Sequence, residues 1–380
     1  MTKNSPRLAG LLAGDIHNQP DAKIKYGLFF EALARQFTLV DIYDASLYGM
    51  KRYWNAAKVF HPNLNTWRNR YMQNIPAFRS RSRLASARIH SLGEKVDAII
   101  QVNLLFDSNW KASKVPKFIY TDYTATLSSR RPEAGRSPFS PHQFKEYFRL
   151  EKRAYAQATH IFTRGKFVRE SLILDYDISP DKVKAVGGGV NFASLPKSTK
   201  ENTENTPIML FIGRDFYRKG GDLLLHAFAE ARKEYPKAKL LLMTRDAVAE
   251  DLPLEGVELL PSAWDREKLK GYFRQANLFI LPSRLETWGD VLLEAMAYSL
   301  PCIGVNEGAI PEIIKNNETG ILVESENIEA LSAAMKTLFG NTALRNQYGR
   351  AARQRIEDFF TWDHVIQLMK PDILKATTHF

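Results

Sequence analysis

Short apolar runs alternate with longer stretches whose apolar positions recur every three or four residues, and this alternation organises the chain. Residues 8–13 read as a first strand, and 26–36 as a helix carrying Leu28, Phe29, Leu33 and Ala34. Residues 37–43, 96–102, Lys117–Thr121, His160–Thr163 and 183–186 read as further strands. Strands separated by helical stretches imply parallel βαβ units. Between residues 193 and 207 the chain turns polar, which marks the best linker in the sequence. The alternation then restarts, with strands at Ile208–Ile212, Lys239–Met243, Leu278–Leu281, 301–305 and 321–323 and helices at 222–234 and 328–339. Two successive α/β units joined by a polar hinge predict a cleft between them.

The richest chemistry lies between Arg284 and Pro301, where Glu286 and Glu294 stand eight positions apart. Glu286 belongs on a loop, because Pro282 and Ser283 precede it and Gly289 follows. Glu294 sits inside the apolar run from Val291 to Ala297, which reads as a buried helix. The unit is therefore a strand, a loop with a carboxylate, then a helix with a carboxylate near its start. Open α/β sheets bind ligands at that edge, outside the carboxyl ends of the strands. Ionised carboxylates only accept hydrogen bonds, which suits the vicinal hydroxyls of a ribose or a sugar ring. A plainer arrangement uses the same residues: Glu286 caps a helix near Gly289, and Glu294 pairs with a surface arginine. Against it, a charge flanked by apolar residues needs a partner or a ligand.

A second constellation follows strand Ile208–Ile212. Gly213, Arg214, Arg218, Lys219, Gly220 and Gly221 lead into a helix. Glycines let backbone approach a ligand, and a helix start offers N–H groups to an anion. Arg214 can fork onto phosphate oxygens while Lys219 adds a point charge. The Walker spacing is absent and no G-x-G-x-x-G follows the first strand. The alternative is a basic surface turn.

Composition narrows the class. The chain has 380 residues, 44% hydrophobic and 25% charged, which suits two soluble globular domains. No apolar run is long enough to cross a bilayer, and Met1 to Arg7 runs into a strand without a secretory pattern. The lone cysteine, Cys302, excludes an internal disulfide and a cysteine-based zinc cluster and reads as a small buried hydrophobe. Asn317 to Thr319 matches a glycosylation acceptor by chance if the protein is cytoplasmic, as these features predict. The net charge of +11 is uneven: residues 51–95 hold ten Lys or Arg against one acid, Glu94. Tyr53, Trp54, Phe60, Trp67, Tyr71 and Phe78 interleave with them. Such a segment suits an anionic membrane surface, which would place the protein peripherally on the inner face of the membrane. It also suits single-stranded nucleic acid, although no recognition motif supports that, or it is a basic surface with its aromatics in the core.

Together these motifs resemble a known family. The order Gly213-Arg214 with Lys219-Gly220, then Pro282-Ser283, Glu286 and Glu294-Ala-Met-Ala297, then Pro301, Gly308, Pro311-Glu312 and Thr319-Gly320, is similar to the retaining nucleotide-sugar glycosyltransferases of family 4, the group 1 transferases. The similarity is dense over 208–323. Upstream it weakens, though 151–163 and 187–191 fit the family's approach to the hinge, and 360–365 resembles its last helix. The resemblance implies a GT-B fold of two Rossmann-like domains facing across a cleft: residues 1–194 on the acceptor side, 207–357 on the donor side, and 358–380 as a helix returning to the first domain. It implies that Gly213, Arg214 and Lys219 hold the donor diphosphate with no metal or other cofactor, near Gly289 and the backbone of Val291 and Leu292. It assigns Glu294 to the ribose and Glu286 to the donor sugar or the charge forming at its anomeric carbon. The implied reaction moves a sugar from a nucleotide-diphosphate donor to a glycan or lipid-linked acceptor, in cell-surface polysaccharide or glycolipid synthesis.

Departures from the family pattern matter. Where the family carries a histidine after the fourth strand, this chain has Thr121, followed by Asp122. Either Asp122 takes over the polar contact, which puts it with Glu286, Arg214 and Lys219 as a catalytic candidate, or activity is reduced; Asp122 could equally cap a helix at Thr124. The first loop has one glycine, Gly14, with His17 and Lys25 as acceptor-side candidates. The glycine pair expected after Met243 is missing, so Arg245 and Trp264 become candidates to stack on the base. Asp175 and Asp177 look like a D-x-D metal site but read as a solvated turn. Two rival functions remain, a catalytically degenerate GT-B binding module and a GT-B sugar-nucleotide epimerase or phosphorylase.

Overall fold

Strands buried on both faces need continuous apolar runs, and the structure has strands where those runs fall. It is a computed structural model describing residues 5–131, 137–197, 206–261 and 266–378. These form two compact units, Met1–Gly188 with Trp362–Phe380, and Gly189–Thr361. Of the polar linker expected at 193–207, residues 198–205 lie outside the described residues.

In the first unit, strands β1 (Arg7–Leu12), β2 (Thr38–Asp44), β3 (Ala98–Val102), β4 (Lys117–Thr121), β5 (His160–Thr163) and β6 (Val183–Ala185) form one parallel sheet in the order β2-β1-β3-β4-β5-β6. Every residue of β3 and β4 is buried. The helices between them are α1 (Pro20–Gln36), α2 (Gly49–Lys58), α3 (Leu64–Met72), α4 (Ile75–Leu92), α5 (Ala125–Ser129), α6 (Pro141–Ala156) and α7 (Lys166–Leu174). Helix α1 begins six residues before the expected start at Tyr26, because Pro20 opens it and its first turn is solvent-facing and polar.

The second unit repeats the plan with β7 (Ile208–Ile212), β8 (Lys239–Met243), β9 (Val257–Leu260), β10 (Leu278–Leu281), β11 (Cys302–Val305) and β12 (Gly320–Val323), ordered β12-β11-β10-β7-β8-β9. Its helices are α8 (Gly221–Arg232), α9 (Arg266–Gln275), α10 (Asp290–Ala297), α11 (Ile310–Ile313), α12 (Ile328–Gly340) and α13 (Thr342–Phe359). Strand β9 escaped the apolar pattern: it lies at the sheet edge and exposes Glu258 and Leu259. Cys302 is buried in β11, and burial pushes its thiol up.

The chain then returns to the first unit as α14 (Trp362–Thr377), whose Trp362, Val365, Ile366, Met369 and Ile373 share a core with Phe29, Phe30 and Leu33 of α1. Arg35 binds Asp363 at 2.8 Å, and Lys184 donates to Leu368 O at 2.8 Å. Among the described residues, no helix is long and apolar enough to cross a membrane.

Two buried charged side chains inside the first unit, Lys117 and Glu151, are held by hydrogen bonds. Lys117 meets Asp107 at 2.8 Å with both side chains 1% exposed, and its ammonium also donates to Ala154 O at 3.0 Å. Glu151 on α6 accepts from Tyr176 OH at 2.5 Å and from the Ala125 N–H at 3.0 Å, tying α6 to the start of α5. Burial pushes the Glu151 carboxyl from its ordinary 4.5 up to about 7, outweighing the opposite pull of those two hydrogen bonds. Between these values the folded chain keeps a proton that the unfolded chain has released, so stability falls as pH rises through that window. Glu151→Gln removes this slope. Urea melts of the variant and the parent should show the variant gaining on the order of 3 kcal/mol relative to the parent between pH 4.5 and 8. Parallel pH dependences in the two proteins would show that Glu151 is ionised throughout.

Candidate functional site

The order of the second sheet reverses at one place. From β7 the chain steps outward to β8 and β9, then crosses to β10 on the other side of β7 and steps away to β11 and β12. The chain therefore leaves the carboxyl ends of β7 and β10 toward opposite sides of the sheet, and a reversal of this kind is where open α/β sheets take ligands. The Arg214–Lys219 loop leaves β7, and the Glu286 loop leaves β10.

These two loops are locked together. Lys219 Nζ donates to Glu286 Oε2, with the two side chains only 13% and 7% exposed. Gly220 holds φ +72°, and a Cβ there would stand 2.0 Å from Pro282 O, so the loops touch backbone to backbone. Arg218 donates to Leu285 O at 2.9 Å and to Asp215 at 2.7 Å. Arg284 forks onto Asp222 in the first turn of α8, at 2.7 and 2.9 Å, and reaches Glu326 at 2.6 Å. Its hydrogen bonds to these carboxylates hold the guanidinium above its ordinary range. From a third side, Gly308 (φ +57°) lets the backbone pass: a Cβ there would stand 2.1 Å from Glu286 O, which also accepts from the Ala309 N–H at 3.2 Å. Glu286 neither caps a helix nor lies on the surface.

The other donor-side candidates line the same edge. Gly213 sits under the Lys219 stem, where a Cβ would be 2.9 Å from Lys219 Cβ. Arg214 is exposed on the β7 loop. Arg245 is exposed beyond β8, beside Asp246, which accepts the Phe216 N–H at 2.7 Å. Gly289 caps α10 in a left-handed conformation, with no side-chain cap. Of the two backbone groups expected to face an anion there, that of Leu292 already donates to Gly289 O at 2.9 Å; Val291 stands one residue nearer the helix start. Glu294 is half-buried one turn further on, in the wall of a hollow with Phe192, Lys270, Phe273 and Tyr298. Phe273 stacks on Tyr298 with ring centroids 5.1 Å apart. Trp264 lies outside the described residues.

In the first unit, Lys25 of α1 meets Asp122, just beyond β4, at 3.4 Å. Thr124, not Asp122, caps α5, accepting the Leu127 N–H at 3.2 Å. Thr121 is buried, and its hydroxyl donates to Tyr123 O at 3.1 Å. The Gly14 N–H donates to Asp44 at 2.8 Å, and His17 is exposed in a turn closed by Asp15 at 2.8 Å. Asp175 accepts from Ser171 and Arg130, and Asp177 from Lys152. Among the described residues, no three side chains gather as a metal site.

The sequence pattern alone gives Arg218, Ser283, Arg284 and Gly308 no individual role. Arg284 and Ser283 stood in the motif as loop residues; only the contact of the loops shows Arg284 reaching Asp222 and Ser283 donating to Leu285 O at 2.8 Å.

Residues 195–355 match the family of group 1 glycosyl transferases. Among curated relatives, alpha-maltose-1-phosphate synthase of Mycolicibacterium smegmatis is 27% identical over 57% of this chain and 63% of its own length. The chain thus spans less than two thirds of that relative. Sucrose-phosphate synthase from Thermosynechococcus elongatus superposes with a TM-score of 0.69 at 17% identity, over 99% of this chain and 100% of its own. Anabaena HepE, solved in complex with UDP and glucose, superposes at 0.64 with 14% identity, over 97% and 100%. The fold is therefore GT-B, with two parallel-sheet α/β units, and the family match falls on the unit that holds Lys219 and Glu286.

Removing one partner of a buried ion pair costs more than removing both. Lys219→Met should therefore destabilise the protein by about 3 kcal/mol, and Glu286→Gln added to it should recover at least half of that. Urea denaturation of both single variants and the double variant checks this. Additive losses would show that the two charges do not depend on each other.

Proposed function

We propose that the protein is a retaining glycosyltransferase of family 4, moving a sugar from a nucleotide-diphosphate donor to a glycan or lipid-linked acceptor in cell-surface polysaccharide or glycolipid synthesis. The observation that carries this reading is the meeting of Lys219 and Glu286 at the point where the second sheet reverses order. The family match and the UDP and glucose bound by HepE support it.

Lys219 and Arg214 leave one strand end together and match the charge of a diphosphate. An ammonium has three donors, so Lys219 can keep Glu286 and still donate to phosphate. As the bond from the anomeric carbon to the phosphate oxygen breaks, negative charge grows on that oxygen, and the two cations stabilise it. Glu286 accepts from donor-sugar hydroxyls and offsets positive charge at the anomeric carbon, while Glu294 accepts from the ribose. The acceptor hydroxyl bonds to the anomeric carbon on the same face, and its proton passes to the departing phosphate oxygen. Because fixed cations neutralise the diphosphate, the reaction needs no metal. Asp122, held by Lys25, serves the acceptor side.

Calorimetry with UDP, ADP and GDP and their sugars tests the reading. One of these should bind, unaffected by EDTA, with Lys219→Ala and Arg214→Ala each weakening it at least tenfold. Proton spectroscopy of the product should show the donor's anomeric configuration preserved. No binding by any nucleotide overturns the transferase reading, and an inverted product overturns retention alone. Thr121, whose hydroxyl is turned to backbone, favours a second reading, a degenerate binding module; it would bind nucleotide without turnover.

A further inference from the structure

The basic aromatic segment at 51–95 divides into two unlike parts. In α4, Phe78 packs edge-on against Tyr147 with centroids 5.6 Å apart, and buried Arg81 donates to Met72 O at 2.7 Å. Arg79 pairs with Glu146 at 2.6 Å and Arg88 with Asp41 at 2.8 Å. Those side chains hold the fold together. Helices α2 and α3 do not serve the core in this way: α2 buries only Asn55, and α3 buries no residue. They hold each other instead, through Asn55 Nδ2 to Tyr71 O at 3.0 Å and Trp67 Nε1 to Ala56 O at 2.9 Å.

The apolar stripe of α2 faces solvent. Met50, Tyr53, Trp54 and Ala57 recur at helical spacing, and the first three are 69%, 70% and 63% exposed. Phe60 and Leu64, at 66% and 71%, extend the patch to α3. Lys51, Arg52, Lys58 and Arg68 are exposed around it, and no Asp or Glu occurs from Ala45 to Gly93. Between the two helices lies a hollow lined by Arg52, Ala56, Leu64, Trp67, Arg68 and Tyr71. Contiguous exposed apolar side chains of this size mark an interaction surface.

We propose that α2 and α3 dock this protein on an anionic lipid bilayer. A second copy of the chain fits badly, because a self-complementary contact would set these cations against themselves with no acid between them. Single-stranded nucleic acid would use the cations and rings, but it offers the exposed aliphatics Met50 and Leu64 no apolar environment. A headgroup layer accommodates the whole set. Lipid phosphates meet Arg52 and Arg68, Tyr53 and Trp54 sit at the interface, and Met50, Phe60 and Leu64 reach the acyl boundary. This surface does not depend on the transferase reading.

Flotation with phosphatidylcholine vesicles, with and without one-third phosphatidylglycerol, tests the proposal. The full chain should float with the anionic vesicles, and binding should weaken as salt rises. Arg52→Gln with Lys58→Gln and Arg68→Gln should weaken it about a hundredfold, at roughly fivefold per cation. Met50→Ser with Tyr53→Ser and Trp54→Ser should weaken it at least tenfold. Inorganic phosphate at millimolar concentration should not release the protein, since a bilayer rather than a free anion is the partner. All six positions are exposed, so the melting temperatures of both triple variants should match the parent. The proposal is overturned if the parent ignores anionic vesicles or if both triple variants bind as it does. It is equally overturned if the two triples abolish an oligonucleotide complex or a dimer seen by light scattering while leaving vesicle binding intact.

Discussion

Placing an ammonium and a carboxylate in the same buried crevice is costly unless they meet, and the second unit is built so that Lys219 and Glu286 do. Their loops come from strands adjacent in space but separated by two other strands in the chain. Gly220 against the Pro282 carbonyl sets how closely the loops approach, and Arg218 and Arg284 fix the register of one against the other. Such a pair contributes little net stability, because desolvation offsets most of the Coulomb gain. What it supplies is position. A cation held before any ligand arrives need not be reorganised when charge develops near it, and that preorganisation is the large term in electrostatic catalysis.

The sequence revealed best several strands that are buried beyond their first residue. Lys117–Thr121, His160–Thr163, Ile208–Ile212, Lys239–Met243 and Leu278–Leu281 have the limits that the apolar runs predict. Where an element is half in water the signal fades, as in β9 with its exposed Glu258 and in the polar first turn of α1. The site divides along the same line. Lys219 and Glu286 were each legible from their places just beyond a strand. Their contact was not, because 67 positions separate them and only the strand order brings them together. In sequence Asp122 fits either a polar contact or a helix cap; the pairing with Lys25 and the cap at Thr124 decide against the cap.

Arginine illustrates what composition conceals. Arg81 and Arg68 stand in the same basic segment with similar neighbours in sequence, yet one is buried against a carbonyl and the other is exposed beside a hollow. Hydrophobic periodicity does not separate them, because α2 has a well-formed apolar stripe that faces water. An amphipathic helix predicts burial only where the fold provides something to cover it. Here α2 and α3 cover each other in part and leave Met50, Tyr53 and Trp54 outside. That mismatch between pattern and burial is what sets these two helices apart from α4.

The two units also use charge differently at the carboxyl ends of their strands. Lys25 and Asp122 are 40% and 19% exposed at 3.4 Å, against 13% and 7% for Lys219 and Glu286. A pair open to water is screened and exchanges partners at little cost. The buried pair is held by backbone contacts on three sides and does not have that freedom. If the second unit grips a diphosphate whose chemistry is the same for every donor, rigidity there is an advantage. On the proposed transferase reading the first unit instead meets an acceptor hydroxyl, and Thr121, buried with its hydroxyl donating to Tyr123 O, is poorly placed for that task. The polar contact then falls to Asp122, whose carboxylate can leave Lys25 for an incoming hydroxyl without stranding a buried charge.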